Sequence, residues 1–151
     1  MRLPRFLTPR TIVSAHCDLP CGVYDPAQAR IEAESVKGCQ EKYQSNEDPV
    51  FRQRAILIKE ERADLVKHHL DVLWHDYFKP EHFEKYPDLH AKFNKAAKLA
   101  GGSGAKQSTD PATGQQLLDA IDEIAAIFWE TKGGKPQDQA PKGAVRTATG
   151  A

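Results

Sequence analysis

The sequence predicts an all-α protein that folds as an antiparallel four-helix bundle. Three Asp-Pro pairs, at residues 25–26, 48–49 and 110–111, each place a capping acid before a proline. The acid accepts a hydrogen bond at the start of a helix, and a proline at the first helical position has no N–H to leave unpaired. The segments that follow repeat apolar residues at helical spacing, and the sequence has no alternating strand pattern. Amphipathic helices joined by short loops bury their apolar faces against one another as a bundle.

The four predicted helical regions follow these start signals in order. The first helix is predicted at about 26–43, and the second, the longest, at about 49–78. The third region spans about 80–99, and we expect Pro87 to break or kink it because a proline inside a helix removes a hydrogen bond. The fourth helix is predicted at about 111–132.

Apolar spacing predicts which faces are buried. The expected stripe of the second helix consists of Phe51, Ala55, Ile58, Arg62, Leu65, His69, Val72 and Tyr77, widened by Ile56, Ala63, Leu70, Leu73 and Trp74. The stripe of the fourth consists of Leu117, Leu118, Ile121, Ile124, Ala125, Phe128 and Trp129. Residues 101–104, Gly-Gly-Ser-Gly, predict a flexible connector. Gly133 predicts the left-handed residue that ends the fourth helix.

Length and charge limit the classes of partner. The 151 residues suffice for one domain with a hydrophobic core. No apolar run approaches the ~20 residues of a membrane span. The formal net charge is zero, but residues 16–132 hold 15 basic and 20 acidic residues. Nucleic-acid binding needs clustered Lys and Arg, so this acidic body argues against a nucleic-acid partner.

Residues 1–15 are predicted to be a removable leader. Pro4 and Pro9 interrupt any helix, and the segment lacks the apolar stretch of a secretory signal, so we expect a cytoplasmic protein. Residues 13–15, Val-Ser-Ala, resemble a small-residue cleavage site. Cleavage after them makes His16 the N-terminus.

The other end of the chain has a composition typical of disorder. Residues 133–151 are rich in Gly, Pro, Ala, Gln and Thr and have almost no apolar bulk. They are predicted to be a disordered tail, which leaves 16–132 as the folded domain.

Residues 16–24, His-Cys-Asp-Leu-Pro-Cys-Gly-Val-Tyr, concentrate metal ligands in one short loop. With His16 terminal, its amine and the Cys17 amide nitrogen close one five-membered chelate ring, and that amide and the Cys17 thiolate close a second. The Cys21 thiolate supplies a fourth in-plane donor, and the His16 imidazole supplies an axial one. Planar nitrogen and sulfur donors suit nickel or copper(II) better than zinc, which prefers a tetrahedron. The sequence therefore predicts a metal-binding hook at the N-terminal end of the bundle.

The residues alone leave two other functions open. One is a non-enzymatic carrier that binds nickel or copper through the hook and hands it on. The other is a structural bundle in which Cys17 and Cys21 form a disulfide clasp. The position of His16 directly before Cys17 at a processing site favours metal, because a clasp needs neither the histidine nor the cut.

The hook segment resembles the nickel hook of the nickel superoxide dismutase family. The similarity extends through much of 16–132, and the matching segments are 25–32, 67–69, Trp74, 76–80, 82–87 and 128–132. The ligands that the resemblance implies are the His16 amine and imidazole, the Cys17 amide and thiolate, and the Cys21 thiolate.

The resemblance also implies an activity and an assembly. Members of the family disproportionate superoxide to oxygen and hydrogen peroxide while nickel, one ion per subunit, cycles between its divalent and trivalent states. They fold as four-helix bundles and assemble into homohexamers. They are matured by proteolysis, which implies a maturation protease as a partner, and a nickel chaperone is a further expected partner.

Five residues outside the ligand set acquire roles through the resemblance. Glu32 matches the acid that orients the axial imidazole, and Arg62 matches its charged partner. Tyr24 and Tyr77 match tyrosines near the substrate entrance. Asp18 belongs to the hook motif, where its backbone is implicated more than its carboxylate. Without the resemblance, the tyrosines are interpreted as core residues, and Glu32 with Arg62 as a surface salt bridge of little energetic worth.

The remaining histidines and the third cysteine have plainer interpretations. The histidines lack a His-Glu-x-x-His spacing and are interpreted as packing, surface or interface residues; they are His68, His69, His75, His82 and His90. Cys39 lies on the first predicted helix and is interpreted as a half-buried thiol with no family function, with a stray disulfide as the alternative.

Overall fold

The computed structural model describes residues 23–134, and the regular elements in this range are all helical. In chain order they are α1 (Ala27–Gln44), α2 (Pro49–Val72), a π-helical turn (Leu73–Tyr77), α3 (Pro80–Lys85), α4 (Leu89–Leu99) and α5 (Pro111–Thr131). Helix α1 packs against α2 and α5, and α4 packs against α5 and α2. The predicted all-helical bundle is confirmed.

Two of the three Asp-Pro aspartates, Asp48 and Asp110, cap their helices as predicted, whereas Asp25 lies one residue before Pro26, the N-cap of α1. Each side-chain oxygen accepts a hydrogen bond from the backbone N–H two residues later; the pairs are Asp25 with Ala27 at 2.8 Å, Asp48 with Val50 at 3.0 Å and Asp110 with Ala112 at 2.9 Å. Pro49 and Pro111 are the first residues of their helices, whereas Pro26 lies just before α1. At the other end of α5, Gly133 has a φ of 70°, the left-handed conformation expected there.

The third helical region is divided at Pro87. Helix α3 ends at Lys85, and α4 begins at Leu89, whose N–H donates to the carbonyl of Tyr86 at 3.0 Å. The predicted break at Pro87 is therefore confirmed. The second helix differs from the prediction in its last turn, which widens into the π-helical turn before the chain extends at Phe78.

The buried face of α2 differs from the predicted stripe. Ala55, Ala63 and Leu70 are buried as expected, but Lys59 and Val66, which lie outside the predicted stripe, are buried as well. Small residues allow close approach between helices, and alanines at positions 29 and 33 of α1 are likewise fully buried. The bulky apolar side chains at positions 51 and 58 consequently lie at the outer edge of the α1–α2 contact.

The connector between α4 and α5 is a packed turn, in contrast to the flexible connector that its glycines predict. The Ala105 N–H donates to the carbonyl of Leu99 at 2.7 Å, and Gly101, Gly104 and Ala105 are buried. A Cβ atom at position 104 would collide with the Leu99 carbonyl oxygen, so the site accepts only glycine.

A buried lysine holds the connector onto the bundle. The Nζ atom of Lys59 donates to the carbonyls of Lys106 at 2.5 Å and Ser108 at 3.0 Å. Burial lowers the pKa of the Lys59 amine. Gln40, also buried, donates from Nε2 to the Ser108 carbonyl at 3.2 Å and to the Thr113 hydroxyl at 2.8 Å.

Among residues 23–134, no helix has the length and apolar character to cross a lipid bilayer.

Candidate functional site

The predicted metal ligands His16, Cys17 and Cys21, together with Asp18, lie outside the described residues. The described chain begins at Val23, one residue before Tyr24 and four before the first residue of α1. The surroundings of the candidate site are therefore given by the residues at this end of the bundle.

Tyr24 and Tyr77 lie against one another. Their ring centroids are 5.5 Å apart, with an angle of 56° between the ring planes. Both rings are half-buried and pack against the core. The π-helical turn presents Tyr77, and the extended segment before α1 presents Tyr24, so two distant parts of the sequence meet at one end of the bundle.

The Tyr77 ring is held on several sides. Its centroid lies 4.4 Å from that of Phe128 and 5.8 Å from that of His82, which stacks at an angle of 15°. Its hydroxyl is 2.6 Å from the hydroxyl of Thr131, which in turn donates to the Phe128 carbonyl at 2.7 Å. Because the Thr131 proton is used in that second bond, the Tyr77 hydroxyl donates to Thr131.

Lys132 contacts two aromatic rings at this end of the bundle. Its Nζ atom lies 5.0 Å from the ring centroid of Tyr77 and 5.6 Å from that of Phe128, within the range of a cation–π contact. Apart from their place in the matching segment 128–132, nothing in the sequence distinguishes Thr131 and Lys132 from other residues at a helix end. Only the meeting of α5 with the π-helical turn places them beside the tyrosines.

Glu32 and Arg62 form the predicted ion pair between α1 and α2. The Arg62 guanidinium donates to the Glu32 carboxylate at 3.3 Å. The Glu32 side chain is only 16% exposed, whereas that of Arg62 is 37% exposed. The pair is thus more shielded than the surface salt bridge that the sequence alone suggests, and it fixes the direction of the carboxylate. The two tyrosines and this ion pair are two separate clusters within the described residues.

The remaining histidines take part in packing contacts. His90 stacks on Phe83 with a centroid distance of 3.9 Å and accepts a hydrogen bond from the Trp74 indole N–H at 2.9 Å. His82 accepts at Nδ1 from the Lys79 N–H at 3.1 Å, at the start of α3. Trp74 also stacks between His75 and Phe93. Within residues 23–134, no group of three or more His, Cys, Asp or Glu side chains could hold a metal ion.

Cys39 is half-buried and unbonded to another cysteine within the described range. Burial raises the pKa of its thiol, an effect that nearby Lys42, Arg62 and Lys59 partly oppose. The thiol lines a groove of about 640 Å³ between α1 and α2, together with the apolar side chains of Ile31, Phe51, Ala55 and Ile58 and the side chains of Arg54 and Arg62.

Comparison with protein families gives one match that spans most of the chain. The profile of the family described as nickel-containing superoxide dismutase matches residues 11–132. The match includes residues 16–24 and every helix of the described range.

Two curated proteins are similar over almost their full lengths. The nickel superoxide dismutase of Streptomyces seoulensis is 66% identical over 130 residues, which cover 86% of this chain and 98% of that protein. The corresponding protein of Streptomyces coelicolor is 65% identical over the same shares of both chains.

Solved structures give the same result. A native nickel superoxide dismutase structure is 66% identical, with a TM-score of 0.76, and the match covers 79% of this chain and 100% of that one. A second structure, with nickel ligation corresponding to the oxidised state, is 67% identical over the same shares, with a TM-score of 0.75.

Proposed function

The chain belongs to the nickel-containing superoxide dismutase family, and we propose that it holds its nickel through His16, Cys17 and Cys21. It is an oxidoreductase that converts superoxide to oxygen and hydrogen peroxide, with nickel as its cofactor. Family membership favours this activity over the carrier and the disulfide clasp that the residues alone left open.

The spacing of residues replaced in solved relatives supports this ligand set. One solved relative carries alanine in place of a histidine at its first position. Others carry replacements of an aspartate two residues later and of a tyrosine eight residues later. His16, Asp18 and Tyr24 have the same spacing. The agreement supports His16 as the first residue of the mature chain.

Proteolytic removal of residues 1–15 belongs to the same proposal. The His16 amine can bind metal only when it is not part of a peptide bond. The match to the solved chains is also shorter than the match to the curated sequences, in keeping with a segment absent from the solved proteins. A maturation protease is therefore a required partner, and a nickel chaperone is a further proposed one.

The donor set fits nickel by its chemistry. Bound nickel supplies one-electron redox chemistry, because thiolate and amidate donors stabilise its trivalent state. The thiols of Cys17 and Cys21 and the His16 amine must lose their protons to bind, so we expect metal affinity to fall at acidic pH. The same thiolates are open to oxidation by the peroxide product.

The described residues would support this hook from two directions. Glu32, held by Arg62, offers a carboxylate that can accept the imidazole N–H of His16 and so fix the ring. Cys21 lies three residues before Tyr24, a reach of at most about 11 Å along the chain. Tyr24 and Tyr77 can therefore border the entrance. Asp18 contributes through its backbone.

We further propose a cytoplasmic homohexamer. Within the described residues, the groove between α1 and α2 exposes apolar side chains: Phe51 is 37%, Ile58 36% and Ile31 49% exposed. Contiguous exposed apolar groups of this kind are typical of interfaces. A further copy of this chain is the proposed occupant.

The ligand set is tested with protein that begins at His16, produced with ample nickel. We expect about one nickel per chain and a rhombic low-spin trivalent nickel signal with axial nitrogen splitting in electron paramagnetic resonance. The uncut chain 1–151, in which the His16 amine is in a peptide bond, is the matched control and should be inactive. Equal nickel content and equal dismutation in the uncut chain would contradict the proposal.

A further inference from the structure

Lys132 is a charged residue at the tyrosine end of the bundle that the proposed site does not use. It follows the last residue of α5, and its ammonium group lies 5.0 Å from the Tyr77 ring centroid. That ring is in contact with Tyr24 at 5.5 Å. The positive charge of Lys132 therefore lies next to Tyr77 and Tyr24, the two rings that border the proposed entrance.

The charge of Lys132 is not neutralised by a carboxylate among residues 23–134. Some other lysines of the bundle are paired, such as Lys85 with Glu130 at 3.4 Å and Lys92 with Glu123 at 2.6 Å. Within residues 23–134, no carboxylate oxygen forms an ion pair with Lys132. The nearest acid along the chain, Glu130, is the one already paired with Lys85. A full positive charge thus faces solvent beside the tyrosine pair.

We propose that Lys132 steers superoxide toward the face formed by Tyr24 and Tyr77. Superoxide is a monovalent anion, and the excess of acidic residues over 16–132 repels it from most of the surface. A local uncompensated cation raises the anion concentration at one place and so raises the rate of productive encounter. The inference rests on the proposed function, because it assumes that the hook lies at this end of the bundle.

A packing role for Lys132 makes different predictions from a steering role. A cation–π contact on Tyr77 stabilises the fold regardless of salt, because it acts at short range. Steering acts over a longer distance, so added salt abolishes it: the Debye length is about 10 Å at 0.1 M and about 3 Å at 1 M. Ionic strength therefore separates the two roles.

The first test measures kcat/KM for superoxide against ionic strength in the nickel-loaded enzyme. In Lys132→Gln we expect a loss of about twofold at low salt, the effect of one unit charge at roughly 10 Å in water. The loss should disappear at 1 M salt. Lys132→Arg should keep the wild-type salt dependence. Lys98→Gln is the matched control, since Lys98 is also an exposed lysine but lies at the opposite end of the bundle, next to the α4–α5 connector.

The second test needs neither nickel nor turnover and uses the full chain 1–151. Trp129 lies three residues before Lys132, on the adjacent turn of α5. We expect quenching of tryptophan fluorescence by iodide to weaken in Lys132→Gln, while quenching by neutral acrylamide stays the same. Trp74 contributes equally to the quenching in the wild-type protein and in Lys132→Gln. The difference in iodide quenching between the two proteins therefore reports on Trp129.

The outcomes discriminate the steering role from its alternatives. Unchanged iodide quenching, a loss of kcat/KM that persists at 1 M salt, or an equal loss in Lys132→Arg would each overturn the inference. A wild-type enzyme without nickel or dismutation would instead overturn the proposed function, and the iodide comparison would still decide whether Lys132 attracts anions.

Discussion

At the scale of single residues, Glu32 and Arg62 are the side chains that would support the proposed hook. Glu32 is only 16% exposed, and the Arg62 guanidinium 3.3 Å away holds its carboxylate in place. A carboxylate held in this way keeps a hydrogen-bonded imidazole in one orientation and raises its basicity. The pair is therefore expected to matter for redox tuning more than for stability.

Replacement of His16 by glutamine tests the axial ligand. We expect His16→Gln to keep part of its nickel, because the amine, amide and two thiolates remain. Turnover should fall by more than about tenfold, since the axial donor is lost. Metal analysis and dismutation assays on the processed variant measure both quantities. Full activity would remove the imidazole from the mechanism.

The hydroxyl of Tyr77 has a measurable structural role. It donates to Thr131 at 2.6 Å in a partly buried setting, so Tyr77→Phe should lower the free energy of unfolding by about 1 kcal/mol. Tyr43→Phe is the control, since within the described residues the Tyr43 ring contacts Arg52 through its face at 5.0 Å and its hydroxyl makes no hydrogen bond. Urea denaturation measures the two changes, and equal losses would contradict the assignment.

At the scale of elements, small residues set how closely the helices approach. Gly114 on α5 faces Gln40 and Lys37 of α1, and a Cβ atom there would lie 2.8 Å from the Lys37 Cβ and 2.9 Å from its Cα. Helices α1 and α5 can therefore approach this closely only because residue 114 has no side chain.

Alanine substitutions at two helical glycines should act in opposite directions. Gly114→Ala should destabilise the protein by about 1–3 kcal/mol, because the overpacked contact outweighs the gain in helix propensity. Gly38→Ala, in the interior of α1 with nothing within 4 Å of the added methyl, should stabilise it by about 0.5–1 kcal/mol. Thermal unfolding of both variants measures the difference. A stabilising Gly114→Ala would show that α5 can shift away from α1.

At the scale of the whole molecule, the groove between α1 and α2 is the surface on which the proposed assembly depends. Phe51 and Ile58 were expected in the core of the bundle, yet they lie at its outer edge. Bulky apolar residues at an outer edge favour the proposed burial against another copy of this chain.

A charge placed in the groove should prevent assembly. Ile58→Asp introduces a carboxylate that would be desolvated in the interface, so we expect the hexamer to dissociate to smaller species. Ala126→Asp, at an exposed position of α5 away from the groove, is the matched control and should remain assembled. Light scattering coupled to size-exclusion chromatography measures the mass. A hexamer that persists in Ile58→Asp would place the interface elsewhere.

Local signals in the sequence were sufficient for most of the helix boundaries, and they also predict the chemistry of the hook. The Asp-Pro caps, Pro87 and Gly133 act on their immediate neighbours, and the ligands of the hook lie within six consecutive residues. Such features depend on short-range sterics and hydrogen bonding, and the linear sequence contains them completely.

The tertiary structure alone decided which surfaces meet. Periodicity identified an apolar face on α2 but could not choose between Phe51 or Ile58 and the alanine-lined face, because close packing against α1 makes that choice. Likewise, Tyr24, Tyr77 and Lys132 are far apart in sequence and become neighbours only when α5 ends beside the π-helical turn. Contacts between distant segments arise from the packing of the whole bundle, which no local pattern encodes.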